Sequence, residues 1–321
     1  MQIKMKCLQK IKKYELLLIA VMALLYVFLL LLFTGTLTSG YHLQDDHEIL
    51  LYHERFVEGR YTWKTIFQKG LLSYFEGGLR FRPIYNTLRF LRVFLFGTDY
   101  TVWSVSVGME IVFCIFFGYY IVRNLRARVM CSALTAILII TGEQGEIWWR
   151  LGPQEPTGLL FFLISMWLIQ CYEQKNGLGR GFLAIFFAFL AAGTKESFTL
   201  MLPILILFAL GYDFLINGYR HLRRGMGFSL NKNKWIITAL CLNFCVNMYV
   251  IICKVGLLSI EYAGIDVKQG LAGYLRMLIQ EFAQSNMRVY ILLILLSAFL
   301  VLLSRQWKRK DYLSDTLRRI C

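Results

Sequence analysis

Proline is nearly missing from this chain, with 4 among 321 residues, and only 17% of positions carry Asp, Glu, Lys or Arg. The shortage of proline leaves long stretches free to be helical. The shortage of charge, against 57% hydrophobic residues, excludes an ordinary soluble globular domain, which could not hide so much apolar surface. No Ser-, Pro- or Gly-rich linker, charge block or internal repeat divides the chain, so residues 1–321 read as one membrane domain. The eight cysteines fall inside apolar runs, at their edges or in the basic termini, and form no disulfide framework. Cys241 and Cys245 share a helix face, but no histidine or second pair accompanies them, and they read as small apolar residues in a span. The net charge of +15 comes from Lys and Arg spread between apolar segments, not from one stripe with aromatics, which excludes nucleic acid as a partner.

What is there in abundance is apolar sequence. A membrane helix needs roughly 20 apolar residues, and 15–36, 101–122, 156–172, 198–217, 235–253 and 289–304 are clear candidates. The weaker runs 130–142 and 182–193 are shorter and either tilt little or are partly re-entrant. The expected fold is an all-α membrane protein, a polytopic bundle of about eight transmembrane helices. With the N-terminus in the cytoplasm, the inner segments hold 21 of the 35 lysines and arginines, and the longer outer segments hold the rest. That bias places both termini in the cytoplasm and the protein, multi-pass, in the plasma (cytoplasmic) membrane, with residues 37–100 as an outer loop. The first run follows Lys4, Lys6, Lys10, Lys12 and Lys13 and is longer than a signal-peptide core, so it reads as a retained anchor.

The polar chemistry gathers on the outer side. Asp45 and Asp46 follow the first span closely. Adjacent residues point in different directions, so the two carboxylates make no shared-proton dyad; one faces a pocket and the other supports it. They also read as a helix start, one of them at the N-cap and Glu48 in the first turn of a helix running to about Glu58. His42, His47 and His53 lie near enough for a divalent metal but match no ligand spacing, and solvated interfacial histidines are the preferred reading, with no metal assigned.

Arg80-Phe81-Arg82-Pro83 introduces Ile84, Leu88, Leu91 and Leu95 at helical spacing, with Pro83 in the favoured first turn. The pattern predicts an amphipathic interfacial helix on the outer leaflet, its Arg80 and Arg82 at headgroup level, either clasping a lipid phosphate or anchoring the interface. Residues 143–156 pack Glu143, Glu146, Trp148, Trp149, Arg150 and Glu155 into a short loop. Carboxylates beside aromatic faces suit a sugar, whose hydroxyls need acceptors and whose C–H faces need flat apolar partners. Thr194-Lys195-Glu196-Ser197 interrupts apolar sequence on both sides, at membrane depth. It reads either as a Lys195–Glu196 pair closing a turn or as a cation receiving a phosphate. Glu110, near the middle of the second span, poses the same question without an obvious partner.

In order and spacing, the acidic pair, the run Arg80 to Asn86, the Glu/Trp loop and Lys195-Glu196-Ser197 before Leu202-Pro203 resemble the GT-C class of integral-membrane glycosyltransferases. The similar branch holds protein O-mannosyltransferases and bacterial relatives that use polyprenyl-phosphate sugars, and the resemblance covers roughly residues 10–215. It implies inverting transfer of a sugar from a polyprenyl-phosphate-linked donor to a hydroxyl of a cell-surface glycan, lipid or protein. Asp45 or Asp46 would be the catalytic carboxylate, Arg80, Arg82, Arg150 and Lys195 would take the donor phosphate, and Glu143, Glu146, Trp149 and Glu196 the sugar. Membrane lipids and the donor are then the expected partners, no cofactor is assigned, and the oligomeric state is left open. Members of that class are commonly longer, which leaves a compact version, a truncated frame or an inactive relative open. A transporter or flippase of lipid-linked glycans, or a non-catalytic membrane scaffold, would carry similar charges.

Overall fold

A computed structural model describes residues 2–256 apart from 42–45, 73–79, 126, 141–144, 176 and 218–221. The chain divides into two compact units, Met1–Glu261 and Tyr262–Cys321, and every described residue belongs to the first. The expected span 289–304 lies outside the described residues.

Among the described residues all regular structure is helical: α1 (Gln2–Phe33), α2 (Thr36–Ser39), α3 (His47–Val57), α4 (Trp63–Phe67), α5 (Pro83–Phe96), α6 (Tyr100–Asn124), α7 (Val129–Ile140), α8 (Glu155–Lys175), α9 (Leu178–Ala192), α10 (Glu196–Asn217) and α11 (Leu222–Tyr249), with short π and 3-10 turns between and after them. Local chemistry sets several starts. Asp99 caps α6 by accepting from Thr101 N at 2.9 Å and Val102 N at 3.3 Å. Pro83 occupies the first turn of α5, where its missing N–H costs nothing.

Among the described residues three helical stretches are long and apolar enough to cross a membrane: Tyr14–Phe33, Tyr100–Asn124 and Lys232–Cys253. The expected count of eight therefore needs correction. Val129–Ile140, Leu178–Ala192 and Glu196–Tyr212 are apolar but shorter, and α8, with Glu155, Gln170, Glu173, Gln174 and Lys175 in its 21 residues, is too polar to qualify.

Helix α6 stands between two cores. One side meets Ala23, Val27 and Leu31 of α1, Val93 of α5, and Trp148 and Leu151 beyond α7. The other, through Cys114 and Ile121, meets α8, α9, α10 and the middle of α11. Outside these cores the helices expose large apolar side chains, among them Leu18, Phe28 and Phe33 of α1 and Leu242 and Val246 of α11. Helix α5 carries this further. At 100° per residue, Arg82, Tyr85, Arg89 and Arg92 fall on one face and Leu91 and Leu95 about a third of a turn away, with Leu88 between them. Arg89 is buried whereas Leu91, Phe94 and Leu95 are exposed. A helix that buries an arginine while exposing leucines suits a lipid solvent better than water.

The chain ends between these helices sort to two ends of the bundle. At one, the loop end, the Ser104 hydroxyl reaches Thr36 O at 3.4 Å, the Thr36 hydroxyl donates to Trp149 O at 2.8 Å, and Ile84 N donates to Gly193 O at 2.9 Å. At the opposite end Arg123 of α6 donates to Glu15 of α1 at 2.5 Å, and Lys232 of α11 pairs with Glu173 of α8 at 2.7 Å.

Candidate functional site

The loop end brings four distant segments into one hydrogen-bonded web, and Gly152 is its centre. Asp46 holds the N-cap position of α3, and helix α3 ends at Val57, close to the expected boundary. Its carboxylate does not cap, however. Fully buried, it accepts from Gly152 N at 2.6 Å, a charge-assisted bond that fixes the loop before α8. The Tyr85 hydroxyl and Arg89 Nη1 both donate to Gly152 O, at 2.9 and 3.2 Å. One glycine thus makes three bonds, its N–H donating to the N-cap of α3 and its carbonyl accepting from two residues of α5. Asp45, the neighbouring carboxylate, lies outside the described residues.

Around this centre the cations are paired across elements. Arg82 meets Glu196 at 3.2 Å, Arg89 meets Glu48 at 3.2 Å, Arg92 meets Glu110, and Lys195 meets Glu155. The adjacent pair Lys195 and Glu196, read as closing a turn on each other, instead turn to partners on α8 and before α5. Successive side chains at a helix start diverge, so each finds its counter-charge on a different neighbour. Glu110, left without a partner by the sequence, accepts from Arg92 and from the Thr157 hydroxyl at 2.7 Å, which ties α5, α6 and α8 together at membrane depth.

Close backbone contact fixes the geometry. Ile84 N and Tyr85 N both donate to Gly193 O, at 2.9 and 3.4 Å. Gly193 permits this approach: a Cβ there would sit 2.4 Å from Ile84 Cγ1. Tyr85, Arg89, Arg92, Trp103, Gly152 and Thr157 line a small cavity of about 20 Å³, with Leu88, Leu151 and Pro153. That is room for about one water, since a water fills roughly 10–15 Å³ on this measure.

The remaining candidates lie close by. Arg150 stacks on the Trp149 ring with its guanidinium carbon 5.6 Å from the centroid, and both are half-buried. Arg80 is half-buried just before α5. Glu143 lies outside the described residues, and of Glu146 only the backbone is described, in the 3-10 turn Gly145–Trp148. Among the described residues no three His, Cys, Asp or Glu side chains converge on a metal position. Tyr41, beside this web, has a buried hydroxyl with no hydrogen-bond partner among the described residues. Burial pushes its phenol up to about 12, and the charges of Asp46 and Asp99 add to the effect.

Sequence reasoning missed Arg89, Arg92, Tyr85, Gly152 and Thr157. A signal existed for the first three: with Arg82 they form the polar face of α5, beside the apolar row of Leu88, Leu91 and Leu95. Gly152 and Thr157 carried none, because a backbone donor and a lone threonine have no pattern to find.

The chain has no significant match among protein-family models, curated proteins or solved structures.

Proposed function

We propose that this chain is an integral-membrane glycosyltransferase of the GT-C kind, moving a sugar with inversion from a polyprenyl-phosphate-linked donor to a hydroxyl of a cell-surface glycan, lipid or protein. It sits in the cytoplasmic membrane with its termini inside and its loop end outside, and the shorter apolar helices Val129–Ile140, Leu178–Ala192 and Glu196–Tyr212 belong to the same bundle. One observation carries the reading: carboxylates, cations and aromatics from four distant segments meet around Gly152 at one end of lipid-facing helices.

In this reaction a carboxylate takes the acceptor hydroxyl proton as that oxygen attacks the anomeric carbon, and the bond from that carbon to the phosphate oxygen breaks. The leaving polyprenyl phosphate keeps the bonding electrons, and nearby cations stabilise its growing charge. Asp46, buried and engaged by Gly152 N, suits the positioning role. The base is then Asp45, the neighbouring carboxylate in the chain. Arg82, Lys195 and Arg150 remain phosphate ligands with Arg80, and Arg89 and Arg92 join them at the cavity. A guanidinium has donors to spare beyond one carboxylate, so a paired arginine still accommodates a phosphate. Trp149 offers the sugar a flat face, with Glu143, Glu146 and Glu196 as acceptors for its hydroxyls. A cavity for about one water holds no pyranose, so donor entry requires the 149–153 loop to part from α5.

The test is transfer of a labelled sugar from a polyprenyl phosphate in proteoliposomes. Asp45→Asn should lower the rate about 10²- to 10⁴-fold, the range for removing a general base, with expression intact. Full transfer by both Asp45→Asn and Asp46→Asn would refute the assignment. Glycan flux across the bilayer without transfer would favour a flippase, and donor binding without turnover a scaffold.

A further inference from the structure

The Gly152 web has an anionic flank as well as a cationic one, and an unused donor stands on it. Gly152 O accepts from the Tyr85 hydroxyl and from Arg89, whereas Gly152 N donates to Asp46. On the Asp46 flank stands Tyr41, whose ring packs against the core that α1 and α6 share. The Tyr85 hydroxyl is spent on Gly152 O, but the Tyr41 hydroxyl is buried and has no hydrogen-bond partner among the described residues. A buried hydroxyl left unpaired costs stability. A fold that carries one beside a candidate site leaves it for a group that arrives from outside.

The field at that hydroxyl selects what can arrive. Both charges that act on the phenol, Asp46 and Asp99, are negative, and together with burial they hold it up to about 12. The group is therefore a protonated donor throughout the physiological range. Both carboxylates are anchored: Asp46 is buried against Gly152 N, and Asp99 caps α6 through Thr101 N and Val102 N. A phosphate oxygen, itself negative, is repelled here and drawn instead to the α5 arginines on the other flank of Gly152. An uncharged hydroxyl oxygen meets no such repulsion. A flat partner for a sugar ring is at hand, since the Thr36 hydroxyl, just ahead of Tyr41 in the chain, donates to Trp149 O at 2.8 Å and ties Trp149 to the same segment.

We propose that the Tyr41 hydroxyl donates to the acceptor, and that the acceptor is a carbohydrate carrying adjacent hydroxyls. One of these attacks and gives its proton to the carboxylate base, while its neighbour accepts from Tyr41, which keeps its own proton throughout. A serine side chain or a simple lipid alcohol offers a single hydroxyl and cannot serve both. This assignment rests on the proposed sugar transfer and narrows its acceptor to a glycan.

The experiment supplies the full chain in proteoliposomes with a labelled polyprenyl-phosphate sugar and a soluble acceptor probe: a methyl hexopyranoside, its monodeoxy analogues, or a serine-containing peptide. The wild type should label the pyranoside in preference to the peptide. Tyr41→Phe should raise the KM for the pyranoside about fivefold, the loss of one neutral hydrogen bond, with the KM for the donor unchanged and the melting temperature at pH 7 no lower. One monodeoxy analogue should show the same penalty with the wild type and none with Tyr41→Phe. An unchanged pyranoside KM in Tyr41→Phe, an equal rise in the donor KM, a lowered melting temperature, or preference for the peptide overturns this site while leaving the reaction standing. A wild type that transfers sugar to none of the probes sinks the reaction, and the site with it.

Discussion

The two ends of the bundle are both polar, yet they spend their polar groups differently. At the opposite end each carboxylate is closed off by neighbours on other helices. Glu173, its side chain 1% exposed, takes Lys232 Nζ at 2.7 Å and Asn233 Nδ2, while Asn233 also donates to Ala209 O of α10 at 2.9 Å. Glu15 of α1 is likewise shared by Tyr119 and Arg123 of α6. At the loop end, by contrast, the pairs surround loop backbone and a cavity, and several are partly wet: Glu48 is 39% exposed in its side chain and Lys195 28%. The Glu173 cluster is a sealed clamp between helices, whereas the pairs of Glu48 and of Lys195 keep a hand in solvent. The first arrangement is what stability demands of a buried ion pair. The second leaves cations able to exchange partners.

Breaking the sealed end should have the largest effect. Glu173→Ala leaves Lys232 without its counter-charge in a low-dielectric helix junction, and removing one partner of a buried pair costs about 3–5 kcal/mol. Lys195→Met at the loop end should cost less, about 1–3 kcal/mol, since the Glu155 left behind keeps some contact with solvent. Thermal unfolding of both variants in one detergent measures the difference. Equal losses would erase the distinction between the two ends.

A second variant sharpens the account of the loop end by attacking its closest backbone approach. Gly193→Val places a Cβ 2.4 Å from Ile84 Cγ1, and the displaced side chain must carry Ile84 N and Tyr85 N away from Gly193 O. Overpacking of this kind costs about 1–3 kcal/mol. Adding Ile84→Ala should recover part of the loss, a coupling that only neighbouring residues show. Additive losses in the double variant would mean that the contact is not what Gly193 provides.

How far these features were legible in the sequence depends on what kind of signal each one left. Periodicity and apolar runs located α1, α5, α6 and α11, because a helix face repeats along the chain. The same reading placed Asp45 or Asp46 at a helix start, and it marked Arg82 and Lys195 as notable. It did not foresee that Asp46 would reach Gly152 N instead of capping, or that Lys195 and Glu196 would each reject the other. Those choices are settled by which helices meet, and partner identity across 40 or 114 residues is not written in local pattern. The inward face of α5 is a different case. Its arginines repeat as regularly as its leucines, and only the assumption that arginines face water or headgroups hid them. Span counting failed for a third reason: α7 and α9 have 12 and 15 residues, so apolarity alone overstated their reach.

The smallest predicted effect concerns Tyr41, where the loop end meets solvent chemistry. An unfolded tyrosine loses its proton near pH 10, while burial, aided by Asp46 and Asp99, holds the Tyr41 phenol up to about 12. Between those values the unfolded chain releases a proton that the folded chain keeps. Rising pH therefore favours unfolding, and stability that is whole below pH 10 declines toward pH 12. Tyr41→Phe has no such proton. Its melting temperature should fall less steeply than the wild type's across that window. At pH 7 it should be equal or slightly higher, because the lost hydroxyl is buried with no partner among the described residues. Parallel alkaline limbs for the two proteins would show that the Tyr41 hydroxyl is as well solvated as any on the surface. The loop end would then be open to water at the very point where Asp46 is buried.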